Sequence, residues 1–289
     1  MATADRAVLV TGASTGIGRA AALALLARGF RVFAGIRNDA AAVALRKEAP
    51  GEARERLETL ALDVTDAGQV GAAVQRLDRE LGEAGLWGLF NNAGISVNGP
   101  IEHLGLEGLR RQLEVNVIGQ VAVTQAMIPL LRRARGRVVT TGSVAGFIAL
   151  PGLAPYAMSK HAMEAFSDSL RRELKPWGIE VSLLEPGAIA TDIWQKGQRD
   201  ADEVERAWPP QVVEHYGPLI AALRKAAAMS ERRASPTDVV TRAVVHAFTA
   251  AKPRTRYRMG RDSGVQKVVS MLPDRWADAV LMKALGLGL

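Results

Sequence analysis

Cysteine is absent from all 289 residues, which excludes disulfides, thiolate metal sites and cysteine nucleophiles and is compatible with a reducing cytosol. Histidine is scarce, limited to His103, His161, His215 and His246. None stands at metal-ligand spacing from another and no His-Glu-x-x-His occurs, so no metal site is expected and the four read as surface or packing residues. Aromatic residues make up only 5%. With no helix-turn-helix, zinc-finger or aromatic-rich pattern beside it, the net charge of +7 does not point to nucleic acid. Long unbroken apolar runs are also missing. Residues 138–159 carry no charge, but Gly142, Gly146, Pro151, Gly152 and Pro155 interrupt them. Residues 115–131 include Asn116, Gln120, Gln125 and Pro129 and read as a buried helix, so no transmembrane segment is expected. Residues 1–6 precede the first apolar strand without the basic flank and apolar stretch of an export signal, and a cytoplasmic location is the expectation.

What is present is a globular composition, 48% apolar and 23% charged, with no linker, repeat or low-complexity tract. A single domain over 1–289 follows. Short apolar runs bounded by turn residues alternate with Ala- and Leu-rich helical stretches, the pattern of parallel strands joined by crossover helices. Strands are expected at 7–10, 31–36, 57–62, 86–90, 137–141, 181–184 and 256–259. Helices are expected at 17–28, 67–81, 106–133, 155–177 and 237–250, with further helical pieces between 202 and 228 and after 265. The fold class is therefore α/β, a Rossmann-type doubly wound parallel seven-stranded sheet with helices on both faces and its ligand beyond the carboxyl ends of the strands. Arg132, Arg133 and Arg135 close a long helix, where cations interact well with the last carbonyls. Arg254, Arg256 and Arg258 alternate along the last strand, either as a docking face for an anionic partner or as a solvated edge.

Two motifs carry chemistry. Thr11-Gly12-Ala13-Ser14-Thr15-Gly16-Ile17-Gly18 follows the first strand directly and opens the first long helix. Gly12 permits the turn, and Gly16 and Gly18 let a phosphate approach the amide dipoles at the helix start. Tyr156-Ala157-Met158-Ser159-Lys160 places a phenol and an ammonium on one helix face, thirteen residues after Ser143. A tyrosine titrates near ~10, so it moves protons around neutral pH only if positive charge lowers that value, and Lys160 is placed to supply it. Alone, such a pair is common on helix surfaces, Ser143 equally fits a turn beside Gly142, and Asn116 equally fits a helix kink or cap.

Taken in order, Thr11-Gly12-x-x-x-Gly16-x-Gly18, Asp63-Val64, Asn91-Asn92-Ala93-Gly94, Asn116, Ser143, Tyr156-x-x-x-Lys160 and Pro186-Gly187 followed by Thr191 resemble the short-chain dehydrogenase/reductase family over 8–191. The tail segments Arg256 to Gly260 and Leu272 to Arg275 resemble its hydroxysteroid and retinol dehydrogenase branch. The resemblance implies hydride exchange between a nicotinamide and a carbonyl or alcohol. Tyr156 would give or take the hydroxyl proton, Ser143 would hydrogen-bond the substrate oxygen, Lys160 would lower the tyrosine pKa and hold the nicotinamide ribose, and Asn116 would hold a proton-relaying water. It also implies cofactor contacts from Gly12, Ser14, Thr15, Gly16, Ile17 and Gly18 in the glycine loop. Asp63 and Val64 would meet the adenine, Asn92, Ala93 and Gly94 would approach the cofactor with backbone, and Pro186, Gly187, Ile189 and Thr191 would back the nicotinamide.

The end of the second strand chooses the cofactor, because a carboxylate there accepts ribose hydroxyls and repels an added phosphate. Here Ile36-Arg37-Asn38 stands instead, which favours a 2′-phosphate and NADP(H) over NAD(H), with Asn38 and Thr15 adding hydrogen bonds. Phe147, Leu153 and Trp194 flank the expected reaction centre and would form an apolar pocket for a steroid-, retinoid- or lipid-like carbonyl or alcohol. The family pattern further implies a substrate lid about 188–230, a C-terminal extension about 260–289 and a homodimer or homotetramer. The alternatives are a carrier-bound acyl reductase, motivated by the basic excess, and a non-catalytic nucleotide-sensing or scaffold protein. The latter kind commonly loses the tyrosine or lysine that this chain retains.

Overall fold

A computed structural model describes residues 6–191, 205–206 and 208–288 of the chain. Seven strands form one sheet: β1 (Ala7–Val10), β2 (Arg31–Ile36), β3 (Leu57–Ala61), β4 (Gly88–Asn91), β5 (Arg137–Thr141), β6 (Glu180–Pro186) and β7 (Arg256–Met259). Their order is β3-β2-β1-β4-β5-β6-β7, and every neighbouring pair is parallel. The order reverses between β1 and β4, and at such a switch point the strand ends diverge to leave a crevice.

Both faces of the sheet are covered, so the strands are apolar on both sides. Val8 and Val10 of β1 point into one core with Leu25 and Leu26 of α1 (Gly16–Ala27) and Val244 and Phe248 of a helix near the C-terminus. Ala7 and Leu9, the alternate residues, point into the other core with Leu77, Met127 and Leu170. The helices in chain order are α1, α2 (Asp39–Glu48), α3 (Ala67–Leu81), α4 (Leu106–Leu113), α5 (Gly119–Ala134), α6 (Ala154–Leu174), α7 (Pro210–Arg232), α8 (Asp238–Thr249), α9 (Ser263–Val269) and α10 (Asp274–Leu285). Gly88 is small because the Phe248 ring of α8 stands 2.5 Å from where its Cβ would be. Buried Arg137 donates to Ala247 O and Ala250 O at 2.6 and 2.7 Å, neutralising the negative end of α8.

Several expected boundaries move. Helix α2 is absent from the sequence expectation: Asn38 caps it by accepting from Ala41 N at 2.8 Å, a local signal that a strand-end reading of Arg37-Asn38 hides. β3 stops at Ala61, so Asp63 lies beyond the strand end, and Asp66 rather than Asp63 caps α3. The expected helix 106–133 is helical throughout but contains a π-turn at Glu114–Ile118 between α4 and α5. The run Leu106–Ala134 is, among the described residues, the one long and apolar enough to cross a membrane by length and composition. Here Val123, Met127, Leu130 and Leu131 pack it into the core. Arg254 and Arg258 are exposed, whereas Arg256 is half-buried and pairs with Glu164, Asp168 and Glu185, the last of which Arg258 also meets.

Candidate active site

At the carboxyl end of β1 the chain must turn sharply and start a helix within six residues. Gly12 and Gly16 have φ of 63° and 56°, the left-handed region that glycine occupies without cost. Space matters as much as angle. A Cβ on Gly18 would stand 2.3 Å from Gly12 O and 2.5 Å from Asn92 Nδ2, and one on Gly12 would stand 2.8 Å from Ala93 Cα. Thr11 staples this loop to β4: its Oγ1 accepts from Asn92 N and Ala93 N at 2.9 and 3.0 Å, and its amide donates to Phe90 O. Asn92 Nδ2 donates to Thr11 O, and Asn92 Oδ1 accepts from Thr141 Oγ1 of β5 at 3.3 Å. Thr11 carried no role in the sequence reading, since a hydroxyl at a strand end has no distinguishing spacing.

The start of α1 has no side-chain cap from Thr15 and no acidic residue in its first turn. The positive end of such a helix is a place where an anion is favoured. Ser14 and Ile17 lie half-buried in this loop. On the far side, Gly187 N donates to Met259 O at 2.8 Å, Ile189 bridges to Ser235, and Thr191 Cβ lies 3.3 Å from the Cβ position of Gly16. Residues 186–191 therefore arch back onto the glycine loop, with the Ile189 side chain buried in the core.

Ser143 follows β5 as the first residue of a tight turn, where its Oγ accepts from Ala145 N at 3.1 Å. Tyr156 and Lys160 stand on the first turns of α6, facing that turn. The Ser143 hydroxyl faces the Tyr156 hydroxyl and favours its ionised form. Lys160, buried, donates from Nζ to Thr141 O at 2.7 Å and lies 5.6 Å from the Tyr156 ring centroid. Burial pushes the Lys160 ammonium down to about 8. Burial also pushes the Tyr156 hydroxyl above the ordinary phenol value, and the Ser143 hydroxyl offsets this only in part. The lowering expected from Lys160 is not produced by the protein groups.

Asn116 sits in the π-turn, where one extra residue rotates its amide out of the helix. Its Oδ1 accepts from Ile95 N at 2.8 Å, and its Nδ2 donates to Ile95 O and to Ser159 Oγ at 3.0 and 3.1 Å. Ser159 in turn donates to Tyr156 O at 2.7 Å, so the segment after Gly94 is tied to the helix that carries Tyr156. Gln112 joins the same knot through Val97 N and Ile95 O. Sequence reasoning missed Ser159 and Gln112. The available signal was a hydroxyl beside Lys160 on a helix whose opposite face is apolar.

Beyond the carboxyl ends of β2 and β3, Arg37 is 64% exposed and 3.8 Å from Asp63. Burial alone would raise the Asp63 carboxyl, but hydrogen bonds from the Thr65 amide and hydroxyl, with Arg37, hold it below the ordinary carboxylate range. Val64 is buried against Gly119, whose Cβ would stand 2.7 Å from Val64 Cγ2. Phe147 and Leu153 are half-buried beside the Ser143 turn, while Trp194 lies outside the described residues. Trp208 and Leu223 close over this side, approaching the Cβ positions of Gly99 and Gly152 to 3.3 and 2.6 Å.

A family model described as short chain dehydrogenase matches residues 6–202. The chain belongs to the short-chain dehydrogenase family. Human retinol dehydrogenase 16 is 40% identical, covering 96% of this chain and 88% of its own length. Bovine 17-beta-hydroxysteroid dehydrogenase type 6 is 38% identical, covering 97% and 89%. The NADPH-dependent 3-dehydrocapnine reductase of Ornithobacterium rhinotracheale is 37% identical, covering 97% of both chains. Among solved structures, a short-chain dehydrogenase from Streptomyces avermitilis superposes with a TM-score of 0.76 at 26% identity, over 99% of this chain and 98% of that one. The chain is accordingly a short-chain dehydrogenase/reductase acting on alcohol or carbonyl groups, in the retinol- and hydroxysteroid-dehydrogenase-like branch.

Proposed function

We propose that this short-chain dehydrogenase uses NADP(H) to interconvert a carbonyl and a primary or secondary alcohol on a hydrophobic substrate, with Tyr156 as the acid/base. The observation that carries the reading is the meeting of Ser143, Tyr156 and Lys160 on the rim that also holds the glycine loop and the start of α1. When bound, the nicotinamide supplies or accepts the hydride. Tyr156 Oη supplies the proton to the developing alkoxide during reduction and takes it back during oxidation. Ser143 Oγ donates to the same substrate oxygen, stabilising charge that appears only in the transition state. Lys160, whose ammonium is half titrated at about 8, holds the ribose and exchanges the proton that Tyr156 consumes. Asn116 keeps the segment 94–95 and Tyr156's helix in register, the setting for a relay water.

The residues present fit NADP(H). The positive end of α1 meets the pyrophosphate, the glycine loop with Asn92, Ala93 and Gly94 gives close backbone approach, and exposed Arg37 lies where the 2′-phosphate would fall. Its loose contact with Asp63 leaves the guanidinium able to turn, and Asp63 then faces the adenine. A relative named as NADPH-dependent agrees. Substrate class rests on half-buried Phe147 and Leu153, on α7 as part of a lid at 188–230, and on relatives named for retinol and a hydroxysteroid. The π-turn that leads into α5 and helix α6 leave Ile118 and Met158 exposed, which suits a homodimer or homotetramer built on these helices. The carrier-bound alternative gains no support from β7, since Arg256 and Arg258 are paired with carboxylates of the same chain.

Tyr156→Phe tests the reading. Turnover of ketones and alcohols from a hydrophobic panel should fall by about 10²- to 10⁴-fold, while NADPH binding, read by nicotinamide fluorescence, stays near wild type. Equal loss of both would refute the acid/base role.

A further inference from the structure

The turn that presents Ser143 is a stiff unit. Gly146 N donates to Ser143 O at 2.9 Å, and Phe147 N and Ile148 N both donate to Val144 O at 3.2 Å, so a shift at Gly146 is passed to Ser143. This unit rests on α6 one turn beyond Lys160. A Cβ on Gly146 would lie 3.0 Å from Lys160 O, 3.0 Å from Glu164 Cγ and 3.1 Å from Glu164 Oε1. That oxygen is buried and finds no hydrogen-bond donor among the described residues. Nothing in the turn holds Glu164 there, so its place is set from the other side. Arg256 of β7 grips Glu164 Oε2 at 3.0 and 3.2 Å. The same guanidinium meets Asp168 at 3.0 Å and Glu185 at 3.2 Å, and Arg258 meets the second Glu185 oxygen at 3.2 Å. Glu185 is 2% exposed, and a buried carboxylate between two guanidiniums fixes geometry strongly. The next residue of the turn, Phe147, is held between Arg258 and Lys267 at 5.8 and 4.7 Å from its ring.

We propose that Glu164 is a positioning residue for the Ser143 hydroxyl: drawn into place by Arg256, its side chain is the wedge on which the turn 143–147 rests, and it thereby sets where the Ser143 hydroxyl stands relative to that of Tyr156. This rests on the reading of Ser143 and Tyr156 given above and adds a residue that touches neither substrate nor cofactor. The cluster would then be retained for geometry, since a buried ion pair is weak evidence of stabilisation.

The test uses the full chain and reads Tyr156 without needing turnover. Tyrosines are confined to Tyr156, Tyr216 and Tyr257, so the phenolate absorbance of each protein minus that of its Tyr156→Phe counterpart isolates Tyr156. Ser143→Ala should move the Tyr156 midpoint to higher pH. Glu164→Ala and Glu164→Gln should move it in the same direction by a smaller amount, with melting temperature and NADPH affinity close to wild type. Glu164→Gln keeps the volume and leaves Arg256 its Asp168 and Glu185 partners, so it guards against a folding failure. Where a substrate has been found, both Glu164 variants should lose about tenfold in kcat at unchanged cofactor KM, within the range that a misplacement of one ångström commands. The proposal is overturned if Ser143→Ala shifts Tyr156 and neither Glu164 variant does. It is equally overturned if Ser143→Ala shifts nothing, or if the Glu164 variants lose Tyr156 behaviour, cofactor affinity and melting temperature together. A wild-type protein inactive on every carbonyl and alcohol refutes the proposed reaction and leaves the titration readable on its own.

Discussion

An ammonium in a dry site is a free-energy cost that titration removes, and Lys160 is the residue where this is measurable. Its folded pKa of about 8 lies below the ordinary 10.5. Between those values the unfolded chain binds more protons than the folded one, so stability should rise with pH through this window and change little below it. Denaturant midpoints at stepped pH should show that rise, and Lys160→Met should flatten it. A variant with the wild-type slope would mean that Lys160 is not the group responsible. Arg37 is the other residue whose charge decides something. Under the proposed use of NADP(H), a bond from it to the 2′-phosphate would belong to the charged class worth about 1.5–3 kcal/mol. Arg37→Ala should therefore weaken NADPH about ten- to hundredfold and leave NADH nearly unchanged in a fluorescence titration. Tighter NADH binding by the wild-type protein would reverse the cofactor assignment.

The glycine loop and α1 act as one element. Gly18 faces Gly12 O and Asn92 Nδ2, so Gly18→Ala drives a methyl into backbone and into the amide that ties β1 to β4 and β5. Small-to-large changes of this kind cost about 1–3 kcal/mol, and here the strain falls on the glycine loop itself. Calorimetry should show a lowered melting temperature and nucleotide titration a loss of binding. Gly71→Ala, on α3 with nothing within 4 Å of its Cβ position, is the control and should be neutral or stabilising. At this scale the sequence was readable because helix and strand periods differ: all seven strands lie within two residues of their expected ends. It was not readable where a side chain overrides period, as in the Asn38 cap that starts α2 and the π-turn that turns Asn116 toward Ile95.

At the scale of the molecule, the exposed Ile118 and Met158 on α5's approach and α6 predict self-association. Light scattering should give a dimer or tetramer, and Ile118→Glu with Met158→Glu should shift it toward monomer. A wild-type monomer would remove the oligomer from the account. The sheet also shows what the basic residues of β7 meet: alternation predicts which side Arg256 and Arg258 share, but not that Glu164, Asp168 and Glu185 wait there. The sequence alone determined the strand and helix order, the glycine loop and the Tyr156 and Lys160 pair, because each rests on spacing along the chain and short-range sterics. Only the tertiary structure decided that burial raises Tyr156 and lowers Lys160, that Thr11 and Asn92 join three strands, and that Glu164 lies beneath the Ser143 turn. Desolvation and contact depend on distances between residues far apart in the chain, and spacing carries no record of them.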